Sequence, residues 1–366
     1  MSRGVNGTGL PPADRVREWL RAAASDPAAL PDEGYETLLG ADGPQLEDLC
    51  QLADSLRREA VGDALTYVVN RNLDTAAVAG PDPASREQLT ALVAEARELG
   101  ATEICMQGPL PASSDDDYLD LITAVEAAAP GIHLHAFRPP ELLDGAARRG
   151  MPLEKFLIAA SQAGLGSVPG TAARILDDEV RTRMRGGPDF PVSQWVEVIE
   201  AAHRAGLTST STMVFGHVET PAHQVAHLRL LAAIQDRTGG FTEFIAMPFV
   251  PAAAAVTAPG LAGANVPGPS WRETLAVHAV ARLMLYGQIA NIQAAWPKFG
   301  LDASAGLLRA GANDLGGLLL DGRLAPDAGA EAGLILTLDD VARVARELGR
   351  PLRQRTTRYE EVLASE

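Results

Sequence analysis

Short apolar runs of strand type alternate with amphipathic helical patterns eight times between residues 65 and 350. In the first unit, a β-branched run at 66–69 precedes a helical pattern at 85–99 and a second strand at 103–106. Parallel strands need helical crossovers, and eight strand–helix units are typical of an α/β fold, the (β/α)8 TIM-type barrel. The remaining strands are predicted at 132–137, 166–168, 208–214, 243–248, 290–294 and 314–319.

Segments of different composition flank and interrupt the predicted barrel. Residues 1–10 are expected to be disordered, and residues 11–64 to form a helical region with helices at 13–24 and 45–59. The barrel is assigned to residues 65–350, and the polar residues 351–366 are expected to form a C-terminal tail that wraps the surface. The Ala-, Gly- and Pro-rich run at 252–269 is long for a connection in a compact domain, which favours a lid or a disordered loop.

Composition excludes several classes of function. The formal net charge of -16 argues against binding to phosphate backbones, which requires clustered Lys and Arg. No apolar run reaches the ~18 residues that a membrane-spanning helix needs, and the N-terminus lacks the apolar core of a signal peptide. We therefore expect a cytoplasmic protein that binds neither nucleic acid nor membrane. The two cysteines, Cys50 and Cys105, are too few for a multi-cysteine metal site, and both are expected to be small buried residues.

Polar side chains cluster at the carboxyl ends of the predicted strands, where barrels of this type place their sites. A ring of Asn, Gln, His, Thr, Glu and Lys side chains offers many hydrogen-bond donors and few fixed charges. It suits a neutral or zwitterionic small molecule that makes many hydrogen bonds. The candidate ligand-binding residues are Asn70, Arg71, Gln107, Gly108, Thr171, Met213, Gly216, Met247, Gln293, Asn313 and Asp314. The candidate acids and bases are His135, His217, Glu219 and Lys298.

Several of these candidates have a purely structural alternative. His133 and His135 alternate on one strand and could bind a metal, but no third carboxylate ligand is evident, and no metal site is predicted. The alternative is that one ring packs inside the barrel and the other is hydrogen-bonded at its rim. Lys298 could form a Schiff base if it were desolvated or could simply be solvated. The Glu219–Thr220 pair could serve only to begin the next helix, with Thr220 as its N-cap residue.

Many segments between about Leu52 and Tyr359 resemble the second subunit of FO synthase, a radical S-adenosylmethionine enzyme that joins tyrosine to a ribityl-diaminouracil in deazaflavin coenzyme synthesis. The resemblance implies a barrel of the radical S-adenosylmethionine kind and a transferase- or lyase-like activity. It also implies that His135, Thr171, residues 216–220, Gln293 and residues 313–314 face the ligand. The segments that carry it are RREAVGDALTYVVNRN, GATEICMQG, IHLHAF, SVPGTAARILDDEVR, QWVEVIEAAH, TSTSTMVFGHVET, RTGGFTEFIAMPFV, RETLAVHAVARLML, NIQAAWPKFG, GANDLGG and PLRQRTTRY.

The first strand–helix unit departs from the family pattern. Family members follow this strand with a C-x3-C-x2-C loop, whose thiolates hold three irons of a 4Fe-4S cluster while S-adenosylmethionine binds the fourth. Here the corresponding segment, NLDTAAVAGPDPASREQL, contains no cysteine, and the family's Gly-Gly after Met-Gln is Gly108-Pro109. On this basis no 4Fe-4S cluster is expected, and S-adenosylmethionine is retained as a candidate ligand.

Two hypotheses about function follow. The first is a cluster-lacking member that binds an aromatic amino acid, a uracil-like compound or an S-adenosylmethionine-like ligand at the barrel mouth and works by non-radical acid–base chemistry. The second is a non-catalytic pseudoenzyme that acts as a scaffold or regulator of an intact radical S-adenosylmethionine paralogue. A third reading, a decaying gene copy without a role, is disfavoured because the helix and strand patterns all agree with one fold.

Overall fold

The computed structural model describes residues 12–79, 83–112, 114, 117–250, 267–318 and 336–362. The predicted disorder at 1–10 and most of the predicted loop at 252–269 lie outside these residues. The strands are β1 Leu65–Val68, β2 Asn70–Asp74, β3 Glu103–Gln107, β4 His133–Ala136, β5 Leu165–Val168, β6 Thr208–Phe215, β7 Phe241–Pro248, β8 Ile292–Gln293, β9 Asp314–Gly317 and β10 Leu352–Gln354. The helices are α1 Pro12–Ser25, α2 Asp32–Leu39, α3 Gly43–Val61, α4 Thr75–Val78, α5 Pro83–Glu98, α6 Tyr118–Ala128, α7 Pro139–Arg148, α8 Leu153–Ala163, α9 Asp178–Arg185, α10 Val192–Arg204, α11 Pro221–Thr238, α12 Trp271–Met284, α13 Trp296–Phe299, α14 Leu301–Leu308 and α15 Leu338–Leu348.

These ten strands form one parallel sheet in the order β10-β1-β9-β8-β7-β6-β5-β4-β3-β2. β1 and β2 lie near opposite ends of this order, yet only Val69 separates them along the chain. The carbonyl of Val68 accepts a hydrogen bond from the amide of Leu318 at 3.0 Å, and the carbonyl of Val69 accepts one from the amide of Thr102 at 2.9 Å. The sheet therefore curls until its two ends meet at a single chain segment. The predicted α/β fold of the TIM type is confirmed.

The first strand continues further along the chain than the sequence pattern predicted. β2 pairs with β3 over five residues, so the polar run that was expected to end a strand is itself a strand. Because side chains alternate between faces, Asn70 and Asn72 line the barrel interior. Arg71 lies between them, and its Nη1 donates to the carbonyl of Leu92 at 2.6 Å and to the carboxylate of Glu95 at 2.7 Å on α5. Arg71 therefore joins strand to helix and does not face the interior.

Helices cover the outer face of the sheet through apolar stripes. On α10, Trp195, Val198, Ile199 and Ala202 recur at helical spacing and are fully buried. The ring of Trp195 stacks on that of Phe241 at the start of β7, with centroids 6.5 Å apart. None of the described helices combines the length and the apolar character needed to cross a lipid bilayer.

Three helices precede the barrel between residues 12 and 64, and the sequence pattern predicted two of them. The missed helix, α2, is only eight residues long, which is too short to show a clear helical period. Arginines of the barrel hold both of its ends. Arg229 of α11 donates to the carbonyl of Leu30 at 2.5 Å, and Arg272 of α12 donates to the carbonyls of Leu39 and Ala41 at 2.8 and 2.9 Å.

The C-terminal tail enters the barrel, and the prediction that it wraps the surface is wrong. β10 pairs in parallel with β1, and the chain after it carries Arg355 and Thr357 into the interior, where they are 1% and 2% exposed. Polar side chains can be buried in this way only when they find hydrogen-bonding partners. Those partners are Asp314 and Glu103, the first residues of β9 and β3, and Glu243 near the start of β7. The sequence pattern could not reveal them because they are distant along the chain.

Arg355 closes the end of the barrel at which the strands begin. Its Nε and Nη2 donate to the two carboxylate oxygens of Asp314 at 2.6 and 2.8 Å, and its guanidinium lies 4.0 Å from the ring centroid of Tyr359. Thr66 donates its hydroxyl to the same carboxylate at 2.5 Å. We call the set Glu103, Glu243, Asp314, Arg355, Thr357 and Tyr359 the barrel floor.

We predict that Arg355→Ala lowers the free energy of unfolding by about 3–5 kcal/mol, since it leaves the buried Asp314 carboxylate unpaired. Urea denaturation measures the change. The matched control is Arg343→Ala, which removes an arginine that pairs with Glu347 and Asp302 on the surface. Surface pairs contribute little, so the control should unfold almost as the wild type does. Equal destabilisation by the two substitutions would contradict this account of the floor.

Candidate functional site

A cavity of about 170 Å³ extends from the barrel floor to the carboxyl ends of the strands. Its wall combines amides, hydroxyls and one imidazole with apolar side chains such as Trp296 and Ile245. Six of the predicted site residues line it together: Asn70, Gln107, His135, Thr171, Met247 and Gln293. Glu103, Glu243 and Arg355 line it as well, so the cavity has ionisable groups beside the expected neutral donors and acceptors.

Hydrogen bonds among side chains and backbone groups orient the rim of the cavity. Thr171 donates its hydroxyl to Oε1 of Gln107 at 3.2 Å, and Nε2 of Gln107 lies 3.2 Å from Sγ of Cys105. On the opposite wall the indole N–H of Trp296 donates to the carbonyl of Gly317 at 2.9 Å. A Cβ at position 317 would lie 2.1 Å from Oδ1 of Asn70, so this position has to be glycine for Asn70 to keep its place.

His133 and His135 are bridged by a hydroxyl. Oγ of Ser167 on β5 lies 2.7 Å from Nε2 of His133 and 2.7 Å from Nδ1 of His135. One hydroxyl can donate to one ring and accept from the other. This arrangement corresponds to the structural alternative for the two histidines, in which packing and hydrogen bonds account for both rings. In the described part of the chain, no three His, Cys, Asp or Glu side chains come together as a metal-binding group.

His135 is neutral at pH 7. Burial lowers its pKa to about 4, although the nearby Glu103 carboxylate acts in the opposite direction. Nδ1 is engaged by Ser167, and Nε2 has no hydrogen-bond partner within the described residues. Because His135 also lines the cavity, Nε2 can accept a hydrogen bond from a ligand.

We predict that the free energy of unfolding falls as the pH is lowered from 6.5 towards 4, because His135 is protonated in the unfolded chain over this range and neutral in the folded barrel. His135→Gln should reduce the slope of the free energy of unfolding against pH, near pH 5, by about 1.4 kcal/mol per pH unit, which corresponds to about one proton. Urea denaturation at a series of pH values measures this slope. His203→Gln, outside the cavity, removes a second buried histidine with a pKa of about 4 and should reduce the slope equally. An unchanged slope in His135→Gln would disprove the assignment.

Glu243 joins the floor to the cavity. Its Oε2 accepts hydrogen bonds from the hydroxyl of Tyr359 at 2.6 Å, Nε2 of Gln293 at 3.2 Å and Nη2 of Arg355 at 3.4 Å. Burial raises the pKa of this carboxyl to about 7, even though Arg355 lowers it. Both protonation states are therefore populated at neutral pH.

Glu103, the second glutamate of the floor, is held at both oxygens. The hydroxyl of Thr357 donates to Oε2 at 2.6 Å, and Nδ2 of Asn70 donates to Oε1 at 3.3 Å. Glu103 therefore links the tail to β2 and β3.

Four further predicted site residues do not line the cavity. Met213 is fully buried on the opposite face of β6 from Thr212, which does line it. Asn313 has a structural role, since its Oδ1 accepts from Nη2 of Arg282 at 3.0 Å and its Nδ2 donates to Oδ1 of Asn291 at 3.1 Å. The other two are Asp314, which lies in the floor beneath the cavity, and Lys298, which belongs to the short helix α13.

Gly108 also lies apart from the cavity, at the end of β3. Its amide donates to Oε1 of Glu141 at 3.2 Å, and its φ of 114° is one that favours glycine. A Cβ there would lie 2.9 Å from Oδ1 of Asp74. The glycine is thus required by the turn that follows the strand.

Gly216, His217 and Glu219 line a second cavity of about 230 Å³ beside α12. The Glu219 carboxylate accepts hydrogen bonds from the amides of Gly216 and His217 and from Nε2 of Gln224. The His217 ring packs edge-on against Phe249, with centroids 4.2 Å apart. These contacts hold the loop after β6, and Thr220 is the N-cap residue of α11, as the structural alternative for this pair has it. The loop lines this second cavity and not the barrel cavity.

Several cavity residues lie deeper than the strand ends and follow from a strand period of two. Counting back in steps of two from Gln107 gives Cys105 and Glu103, and counting back from Met247 gives Ile245 and Glu243. The strand ends alone do not predict these deeper positions. Arg355 had no comparable signal, because it lies in an irregular tail and its partners belong to distant strands.

Comparison with known proteins identifies close relatives. The family model described as the CofH/MqnC C-terminal region matches residues 238–365. The FO synthase of Mycobacterium leprae is 45% identical over 357 residues, which cover 93% of this chain and 41% of that protein. The 5-amino-6-(D-ribitylamino)uracil--L-tyrosine 4-hydroxyphenyl transferase of Methanothermobacter thermautotrophicus is 38% identical, covering 95% of this chain and 98% of that protein. The chain thus spans about two fifths of the FO synthases that it matches and nearly all of the transferase.

Two solved structures share the fold. Methylornithine synthase (PylB) superposes with a TM-score of 0.66 at 18% identity, covering 92% of this chain and 97% of that one. The FeFe-hydrogenase maturase HydG from Carboxydothermus hydrogenoformans gives a TM-score of 0.67 at 13% identity, covering 95% and 81%. At these identities the likeness concerns the fold alone.

The comparisons correct the expectation that no 4Fe-4S cluster is present. Similarity at 45% identity to FO synthases, together with the shared fold, implies a 4Fe-4S cluster and S-adenosylmethionine, so that expectation is wrong. The chain's own thiols nevertheless do not fit the three thiolates that the family loop supplies. Cys50 lies on α3 and Cys105 on β3, and burial raises their pKa values to about 11 and about 12, which disfavours the thiolate forms.

Proposed function

The chain belongs to the family of the 5-amino-6-(D-ribitylamino)uracil--L-tyrosine 4-hydroxyphenyl transferase, and on this premise we propose that its barrel cavity binds a small ring compound and exchanges protons with it. The ligand classes are an aromatic amino acid, a uracil-like compound with a polyol chain, and an S-adenosylmethionine-like nucleoside. The first two correspond to the substrates named for the relative that this chain spans almost completely.

The observation that carries the proposal is the lining of the cavity. Gln107, Thr171 and Gln293 supply amide and hydroxyl groups around its wall, and these can donate and accept hydrogen bonds without fixed charge. Trp296 and Met247 supply apolar surface on which a ring can pack. Apolar walls with a few convergent polar groups are the usual composition of a small-molecule site.

The residues of this chain contribute binding and proton transfer in the proposal. His135 offers a neutral imidazole nitrogen to the cavity, and Asn70 offers an amide beside it. The finer hypothesis of non-radical acid–base chemistry draws its support from the ionisable groups in the lining, which include Glu103 and Glu243 beside His135.

Binding can be tested by thermal unfolding in the presence of L-tyrosine, a ribityl-diaminouracil and S-adenosylmethionine. A ligand at about 100 times its Kd adds about 2.7 kcal/mol to the free energy of unfolding, which raises Tm by a few degrees. We expect at least one of the three to raise Tm. If none does so at millimolar concentration, the proposal fails, and the non-catalytic scaffold or regulator becomes the better hypothesis.

We predict that Thr171→Val weakens binding of whichever of the three ligands raises Tm. The Kd should increase about fivefold, because the loss of one hydroxyl removes about 1 kcal/mol of hydrogen bonding. Isothermal titration calorimetry measures the change in Kd. Thr182→Val is the matched control, since the hydroxyl it deletes is exposed on α9 and donates to the carbonyl of Asp178. Equal effects of the two substitutions would place the ligand outside the cavity.

A further inference from the structure

We infer that Glu243 is the proton-transferring residue of the barrel cavity, and that it accepts a proton from an O–H or N–H group of the ligand at Oε1. The inference rests on the proposed function and assigns its acid–base step to one side chain. The ligand X–H bond breaks, the Oε1–H bond forms, and the electron pair stays on the ligand. The reverse transfer restores the carboxylate, so no other reactant is needed.

The geometry around Glu243 leaves one oxygen available. Glu243 is 4% exposed and lines the cavity. Its Oε2 accepts from Tyr359, Gln293 and Arg355, whereas Oε1 has no hydrogen-bond partner within the described residues. Three donors on one oxygen fix the plane of the carboxyl group. The other oxygen is thereby presented to the cavity in a defined direction, as a general base requires.

The charges that face Glu243 come from three elements. Arg355 and Tyr359 approach from the tail, Asp314 from β9 and Glu103 from β3. Arg355 binds Asp314 through two hydrogen bonds and reaches Glu243 only at 3.4 Å, so most of its charge is already compensated. Burial then raises the pKa of Glu243 to about 7, where a carboxyl group can both take up and release a proton at neutral pH.

The other ionisable groups that line the cavity are less suited to this role. Glu103 accepts a hydrogen bond at each oxygen. Burial lowers the pKa of His135 to about 4, so its ring is a weak base, and burial raises that of Cys105 to about 12. Arg355 is committed to Asp314. Glu243 alone among these lining groups combines a free oxygen with a pKa near neutrality.

Tyr359 acts as the positioning residue for Glu243. Its φ of 64° lies in the left-handed region, which side-chain-bearing residues adopt at a cost. This conformation accompanies the placement of its hydroxyl 2.6 Å from Oε2 of Glu243. The hydrogen bond lowers the pKa of Glu243, so its removal should raise that pKa.

The titration of Glu243 can be followed by NMR of protein labelled with 13C at the glutamate carboxyl carbon. We expect one carboxyl resonance that titrates near pH 7 and is absent from Glu243→Gln. Tyr359→Phe should raise its midpoint. Tyr286→Phe is the matched control, because it removes an exposed hydroxyl that donates to Glu59, and it should leave the midpoint unchanged. If Glu243→Gln does not fold, the Tyr359→Phe shift identifies the resonance. A Glu243 carboxyl ionised throughout pH 5.5–8.5 would overturn the inference.

Ligand binding provides the second readout. In wild-type protein, the rise in Tm caused by the ligand should change with pH around the midpoint of Glu243, and Glu243→Gln should bind without this pH dependence. The same pH dependence in wild type and Glu243→Gln would overturn the inference while leaving the proposed function intact. Failure of the proposed function would look different, since no ligand would then raise Tm at any pH.

Discussion

The buried ion pair between Arg355 and Asp314 is the interaction on which the interior of this barrel depends. Removing a guanidinium and a carboxylate from water is costly, and the cost is recovered only when the geometry is good and the remaining donors and acceptors are satisfied. Both conditions are met, because the pair is bidentate and Asp314 also accepts from Thr66 and from the amide of Gly316. The pair fixes the tail beneath the cavity, and the tail in turn brings Tyr359 to Glu243 and Thr357 to Glu103.

Much of the fold could be predicted from the sequence, because strands and crossover helices leave periodic patterns. Seven of the predicted strands have observed counterparts that differ mainly at their ends, and the first is split at Val69 and extended by β2. The site was harder to predict, because its residues depend on register. Thr212 faces the cavity while Met213 faces the helices, and a strand-end rule cannot separate two neighbours. The tail was missed because its burial depends on a charge pair with a strand 41 residues away along the chain.

The family relationship and the local chemistry constrain the function in different ways. Similarity along nearly the whole length of the transferase shows the family of the chain. The described side chains give the chemistry of the cavity, whose wall carries amides, hydroxyls, an imidazole and carboxyl groups. The mismatch between the family's thiolate loop and this chain, in which Cys105 is buried and Cys50 is half-buried on a separate element, concerns the cofactor and does not alter the character of the cavity.

The floor has a consequence for how the protein is made. The cavity wall is built from strands that leave the ribosome over some 250 residues, but Arg355, Thr357 and Tyr359 are synthesised after all of them. Asp314 and Glu243 gain Arg355 as a partner when this later segment has been made. The buried charge pairing of the interior is therefore completed late in synthesis, through contacts between segments that are far apart along the chain.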